Sequence, residues 1–410
     1  MKKSNRGNKI SILLFALCQG SLSVAAPALE SISRAYPDVS QASILLVGTL
    51  PLLAAIFASV FSAVLYRVLG YKKTGIVSVL MVALGGALPL FIPTFTVIII
   101  SRVIMGIGYG ICSVLPHALI GITLAGDKSQ KNYYGYAVAM LGVSGVVLGQ
   151  IGGIAAGISV KWVWALHLAF LLTLPVIMVG MTEPTPEELA VQNVEPVSGE
   201  KGSKKQALFK AFPKVFLVLL VLHFITGVVD STLYANVSYL VAEKQIAHAA
   251  TFAGTMVAMA NLGAFIGGSM MGRVARIAKR FTVIFGIACS LLSCLLCGLF
   301  GNAAILVAAA FIYGIGDSTI YSSAFTISGC LVPGEANGLA VGVMNALIQA
   351  GCFVGPYIPL WISNQMGSGT VASQLGITTV LAGICLVIYV FVLNSKSGQP
   401  LVDGYANNVE

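Results

Sequence analysis

The chain has 410 residues, 57% of them hydrophobic and only 9% charged, with a formal net charge of +9 and a mean hydropathy of +0.93. A soluble globular chain carries roughly 25% charged residues, so no water-soluble core accounts for this composition. A bilayer-crossing helix needs about 20 apolar residues, and roughly twelve such spans fit this length with short loops between them.

In chain order, long apolar runs bounded by Pro, Gly and charges predict spans at Ile10 to Ile32, Ala42 to Leu65, Thr74 to Phe91, Thr96 to Leu124, Tyr136 to Ile158 and Trp162 to Met181. A second set follows at Val215 to Leu240, Ala249 to Met271, Phe281 to Phe300, Ala303 to Thr326, Ala340 to Ile362 and Val371 to Leu393. The first run, behind Lys2, Lys3, Arg6 and Lys9, has the outline of a secretory leader. An uncleaved first span is expected instead, because its removal would leave an odd number of spans and spoil the charge pattern. With the N-terminus in the cytoplasm, the outer loops hold only Arg34, Lys161 and Lys244, Arg102 falls inside a span, and every other Lys and Arg lies on the inner side. This asymmetry sets the orientation, so the basic balance is topological and implies no nucleic-acid partner.

Between the sixth and seventh spans, Thr182 to Lys214 runs from acidic TEPTPEEL to basic GEKGSKKQ and is too polar to cross a bilayer. The expected organisation is therefore an N-terminal six-helix bundle at 1–181, a cytoplasmic linker at 182–214, and a C-terminal bundle with a short tail at 215–410. The eight Cys lie in or at the ends of spans and none is in an outer loop, which fits packing residues better than a disulfide framework or a metal site. No phosphate-binding loop or metalloprotease motif is present, so no enzyme activity, cofactor or metal is expected.

Internal repeats relate the halves. Gly106 and Gly108 in the fourth span match Gly314 and Gly316 in the tenth, and Gly145-x-x-x-Gly149 in the fifth matches Gly351-x-x-x-Gly355-Pro356 in the eleventh, at nearly the same offset. A finer repeat links DSTLY at Asp230 to Tyr234 with DSTIY at Asp317 to Tyr321, three spans apart. Three-helix repeats are one way transporters build a site near the bilayer midplane.

Ionisable groups inside a span cost at least about 2.5 kcal/mol at mid-helix on insertion scales, so each is a functional candidate. Asp230 and Asp317 lie in the middle of their spans, each with a Tyr four residues on, Tyr234 and Tyr321, on the same helical face. A desolvated carboxyl can take up a proton near neutrality. The expectation is that both acids face a central cavity and titrate or bind a cation, hydrogen-bonded by the tyrosines; the alternative is a structural pair satisfied by hydroxyls or by Arg102. Gln19 and Ser23, one turn apart in the first span, are expected to face the same cavity. His117, His167 and His223 lie towards span ends and read as satisfied interfacial residues. The repeated glycines read as sites of close helix crossing.

The fourth-span Arg102-x-x-Met105-Gly106-x-Gly108-x-Gly110 resembles the Arg-x-x-x-Gly-x-Gly-x-Gly pattern of the major facilitator superfamily, and the likeness extends over nearly the whole chain. Gly145-x-x-x-Gly149-Gln150-x-x-Gly153 is similar to the glycine-rich motif of its antiporters, with Gln150 where Pro is usual. The loop Arg67-Val-Leu-Gly70-Tyr-Lys72-Lys73 resembles that family's second-to-third-span loop without its acid. The resemblance implies an all-α polytopic fold of twelve transmembrane helices in two pseudo-symmetric six-helix bundles. It further implies a coupling role for Arg102 and alternating access in a bacterial-type plasma membrane, by a functional monomer that takes protons and a small organic solute. Proton-coupled efflux by antiport is the first expectation; proton-coupled uptake by symport is the alternative, and a channel or scaffold is a third.

Overall fold

The computed structural model describes residues 2–124, 130–190, 212–332 and 337–395. Linker residues 191–211, Lys128 and Lys396 lie outside them. Among the described residues, twelve helices are long and apolar enough to cross a membrane. They are α1 (Arg6–Ala35), α2 (Gln41–Leu69), α3 (Tyr71–Phe91), α4 (Phe95–Thr123), α5 (Asn132–Ile158), α6 (Val160–Gly180), α7 (Lys214–Glu243), α8 (Ala249–Ala278), α9 (Thr282–Leu299), α10 (Ala303–Ala324), α11 (Ala340–Gln365) and α12 (Val371–Asn394). Each predicted span has its helix, with ends moved by a few residues, because a helix continues past the apolar run until a cap or a backbone break stops it. Contacts divide the chain into two compact units, Met1–Val197 with Ala247–Ala258, and Ser198–Ile246 with Met259–Glu410. The start of α8 thus clusters with the first unit.

The repeated glycines sit where two backbones come closest, which a Cβ would prevent. In the first unit a Cβ on Gly106 would stand 2.6 Å from Pro51 Cα of α2, and one on Gly108 would stand 2.5 Å from the Ser78 carbonyl oxygen of α3. In the second unit Gly314 meets the Ala260 carbonyl of α8 and Gly316 the Gly286 carbonyl of α9 in the same way. The fourth helix of each half therefore packs on the second and third helices of its own half through equivalent residues. The other glycine repeat diverges. Gly351 and Gly355 of α11 close on α7, at the Phe224 carbonyl and Ser231, whereas Gly149 and Gly153 of α5 meet Val257 and Gly254 of α8.

Several helices are interrupted. Helix α1 turns at Gln19 and Gly20, between Lys2–Cys18 and Ser21–Ala25, and passes through a tight turn at Ala26–Ala28. Gly20 lies against Ser144 of α5, and Pro27 offers no N–H to the helical ladder. Helix α11 turns at Gly355 and Pro356, between Asn337–Val354 and Tyr357–Gln365.

Two carboxylates close helix ends inside the units. Glu183, just past α6, accepts hydrogen bonds from the backbone N–H groups of Tyr71 and Lys72, both at 2.9 Å. The acid missing from the loop before α3 is thus supplied from the far end of the half, and Gly70 turns into the helix at a φ of 81°. Glu243, at the end of α7, accepts from Val371 and Ala372 at the start of α12, at 2.6 and 3.1 Å. An anion at a helix N-terminus satisfies orphan N–H groups and opposes the helix dipole.

Candidate functional site: a carboxylate pair and a separate buried arginine

Asp230 is the seventeenth residue of α7, about 24 Å along a 30-residue helix, and Asp317 holds the middle of the helix Ala303–Leu331. Their unit brings them within electrostatic range of one another. Asp230 is only 4% exposed and accepts a hydrogen bond from Ser290 of α9 at 3.0 Å. The Tyr313 hydroxyl of α10 donates to the Asp230 backbone carbonyl at 2.8 Å. Asp317 is half-buried, and among the described residues no Lys, Arg or His pairs with either acid. The arrangement is a carboxylate dyad, two acids within electrostatic range of one another with one hydroxyl donor, Ser290, at Asp230.

Tyr321 donates to the Asn345 side chain of α11, because the helix turns its hydroxyl towards α11. The residue bonded at Asp230 is Tyr313, one turn before Asp317. Sequence reasoning looked one turn after each acid and missed Tyr313 and Ser290. The i−4 neighbour of Asp317 shares its face equally well, whereas Ser290 looked like one small residue in the apolar run of α9.

Arg102 is placed elsewhere. It is the eighth residue of Phe95–Thr123, about 11 Å from that end, and is fully enclosed. Its Nη2 donates to the Gly86 carbonyl of α3 at 3.0 Å and to Ser101 at 3.1 Å, and the guanidinium carbon lies 4.9 Å from the Trp164 ring centroid of α6. Its Nε and Nη1 have no partner, and no acid pairs with it among the described residues. Gly86 of α3 and Trp164 of α6 enclose the side chain within its own unit. His167 and His223, read as interfacial, are both fully buried. Gln19 sits at the break in α1, 7% exposed, with Ser21 and Ser23 also buried.

The chain matches the profile of the Major Facilitator Superfamily over residues 10–237 and 219–403. Among solved structures, a mutant of the nucleoside transporter NupG aligns with a TM-score of 0.80 at 13% identity, covering 94% of this chain and all of that one. A D-xylose-proton symporter aligns at 0.70 and 13% identity, covering 93% and 97% of the two chains. A curated relative, D-xylose-proton symporter-like 2 of Arabidopsis thaliana, is 28% identical over 170 residues, 39% of this chain and 31% of that relative's length. Twelve membrane-crossing helices, the glycine packing shared by both halves and the profile match over nearly the whole length converge: the chain belongs to the Major Facilitator Superfamily and is a multi-pass membrane transporter, not an enzyme.

Proposed function

We propose that the protein is a proton-coupled secondary transporter that takes up a small polar organic solute, working by alternating access, with Asp230 and Asp317 as its proton site. The observation that carries this reading is the dyad: two mid-helix carboxylates, Asp230 buried and Asp317 half-buried, with a hydroxyl donor and no basic counter-charge among the described residues. Such a pair relieves its repulsion and its desolvation by taking up a proton, and a group that gains and loses a proton as exposure changes couples a solute to a proton gradient. Symport is favoured by the likeness to a D-xylose-proton symporter. A sugar- or nucleoside-sized polar solute suits the uncharged hydrogen-bonding groups of the second unit, the Asn345 side chain and the hydroxyl of Tyr321. Efflux by antiport is the second reading, supported by the glycine-rich motif of α5 and its close packing on Gly254. The distribution of Lys and Arg supports cytoplasmic termini in a plasma membrane of bacterial type.

The test is transport in proteoliposomes. A panel of radiolabelled sugars and nucleosides is offered with an imposed inward or outward pH gradient, and with the gradient collapsed. Symport predicts accumulation with an inward proton gradient; antiport predicts accumulation with the opposite gradient. If Asp230→Asn and Asp317→Asn both keep full gradient-driven accumulation, the proton-site reading fails.

A further inference from the structure

His223 is a buried histidine that the carboxylate dyad does not use, yet it shares a face with Asp230. The two are seven residues apart on α7, two helical turns or about 10.5 Å. Opposite them α12 carries Cys385 and Tyr389, one turn apart. The Tyr389 hydroxyl lies 2.6 Å from His223 Nδ1 and 3.4 Å from Nε2, and Cys385 lies within electrostatic range of Asp230. All four side chains are enclosed, with His223 and Cys385 at 0%, Tyr389 at 1% and Asp230 at 4% exposure. On the linker side of His223 the same unit is apolar, with Phe216, Leu219 and Leu220 buried. The described residues place no Lys, Arg, Asp or Glu beside the imidazole; Tyr389 is the titratable group that faces it from α12, and the Leu219 carbonyl accepts at 2.9 Å on its own helix.

We propose that His223 and Tyr389 form a second protonatable station, which exchanges a proton with Asp230 along the facing surfaces of α7 and α12. This rests on the proton-site reading of the dyad. The chemistry needs no cofactor. With Nδ1 unprotonated, the Tyr389 O–H donates to it; with Nδ1 protonated, that N–H donates to the Leu219 carbonyl. A proton arriving from the Asp230 side binds the Tyr389 oxygen as its hydroxyl proton passes to Nδ1, giving an imidazolium beside a neutral tyrosine, and the reverse transfer returns the proton to Asp230. Protons in and out are equal, and no bond between heavy atoms changes. The gap of two turns is too long for a direct hydrogen bond, so the proposal needs an intermediate carrier, and the group α12 offers is the Cys385 thiol, which donates to the Leu222 carbonyl at 3.6 Å and lies within electrostatic range of Asp230. Below the station the apolar residues exclude water, so a proton held there does not leak through the resting protein.

The test separates this proposal from the dyad it rests on. His223→Asn retains an amide able to bond Leu219 and Tyr389 but cannot carry a proton; Tyr389→Phe removes only the hydroxyl. Both are reconstituted with a pH-sensitive dye inside the liposomes, and solute-driven proton flux is compared with solute counterflow, which needs no net proton movement. The station predicts a tenfold or greater fall in proton flux for both variants, with counterflow and thermal unfolding close to the parent. If both variants keep the parent's proton flux while Asp317→Asn loses it, the station is overturned and the dyad stands. If Asp317→Asn also keeps its flux, the dyad itself is at fault. A fall in thermal stability with unchanged flux per folded molecule identifies a structural latch between α7 and α12, and also overturns the proposal.

Discussion

Both units bury an ionisable group in a membrane-crossing helix, and they treat it differently. In the C-terminal unit Asp230 has Ser290 as a donor and Asp317 as a like-charged neighbour. In the N-terminal unit Arg102 has a backbone carbonyl, Ser101 and the face of Trp164, while two of its nitrogens have nothing. A carboxyl can neutralise itself by taking up a proton; a guanidinium in a protein cannot. The acid cluster is therefore suited to a charge that comes and goes during a cycle. The arginine is a fixed charge around which one bundle is built.

The largest expected effect breaks the acid side of this contrast. Asp317→Asn, at the half-buried member of the dyad, is expected to reduce pH-gradient-driven accumulation by about a hundredfold, equivalent to about 2.7 kcal/mol of coupling. Solute counterflow should persist, because an amide leaves the shape of the site intact. Accumulation and counterflow measured on the same proteoliposomes separate the two.

Next in size is a packing comparison between the halves. Gly314→Ala pushes a methyl group into the Ala260 carbonyl, and Gly106→Ala pushes one towards Pro51. Overpacking costs about 1–3 kcal/mol, and Gly314 is the tighter of the two, so it should lower the unfolding temperature in detergent more than Gly106. Equal losses would mean that α10 shifts on α8 far enough to relieve the tighter contact.

Smaller still are the two carboxylate caps. Glu183→Gln and Glu243→Gln each keep a side-chain oxygen but lose the charge opposing a helix dipole, worth about 0.5–1 kcal/mol. Thermal melts at low and high salt should show a larger difference from the parent at low salt. A loss that ignores salt would make these contacts simple hydrogen bonds.

Hydropathy placed all twelve helices because a bilayer demands the same apolar length everywhere. The glycine repeats were legible too, since only a missing side chain permits such close crossings. The side-chain partners were not. Ser290 is one hydroxyl among many small residues, and nothing in α9 marks which way it faces. Glu183 replaces a missing loop acid from 111 and 112 residues away, a distance at which no local pattern survives. His223 looked interfacial because burial depends on α12, which contributes Tyr389 from 166 residues further on.

Arg102 gives the sharpest test of the contrast, with little expected change in stability. Removing one partner of a buried ion pair costs about 3–5 kcal/mol because it leaves an uncompensated buried charge, whereas removing a charge that has no paired acid leaves no such charge behind. With Nε and Nη1 unpartnered and no acid paired with it among the described residues, Arg102→Met belongs to the second case. Its unfolding free energy should stay within about 1 kcal/mol of the parent, with methionine filling the space beside Trp164. Transport should fall far more than stability if the fixed charge serves coupling. A stability loss above about 3 kcal/mol would instead reveal that the guanidinium is paired in the folded protein, and the two bundles would then handle their buried charges alike.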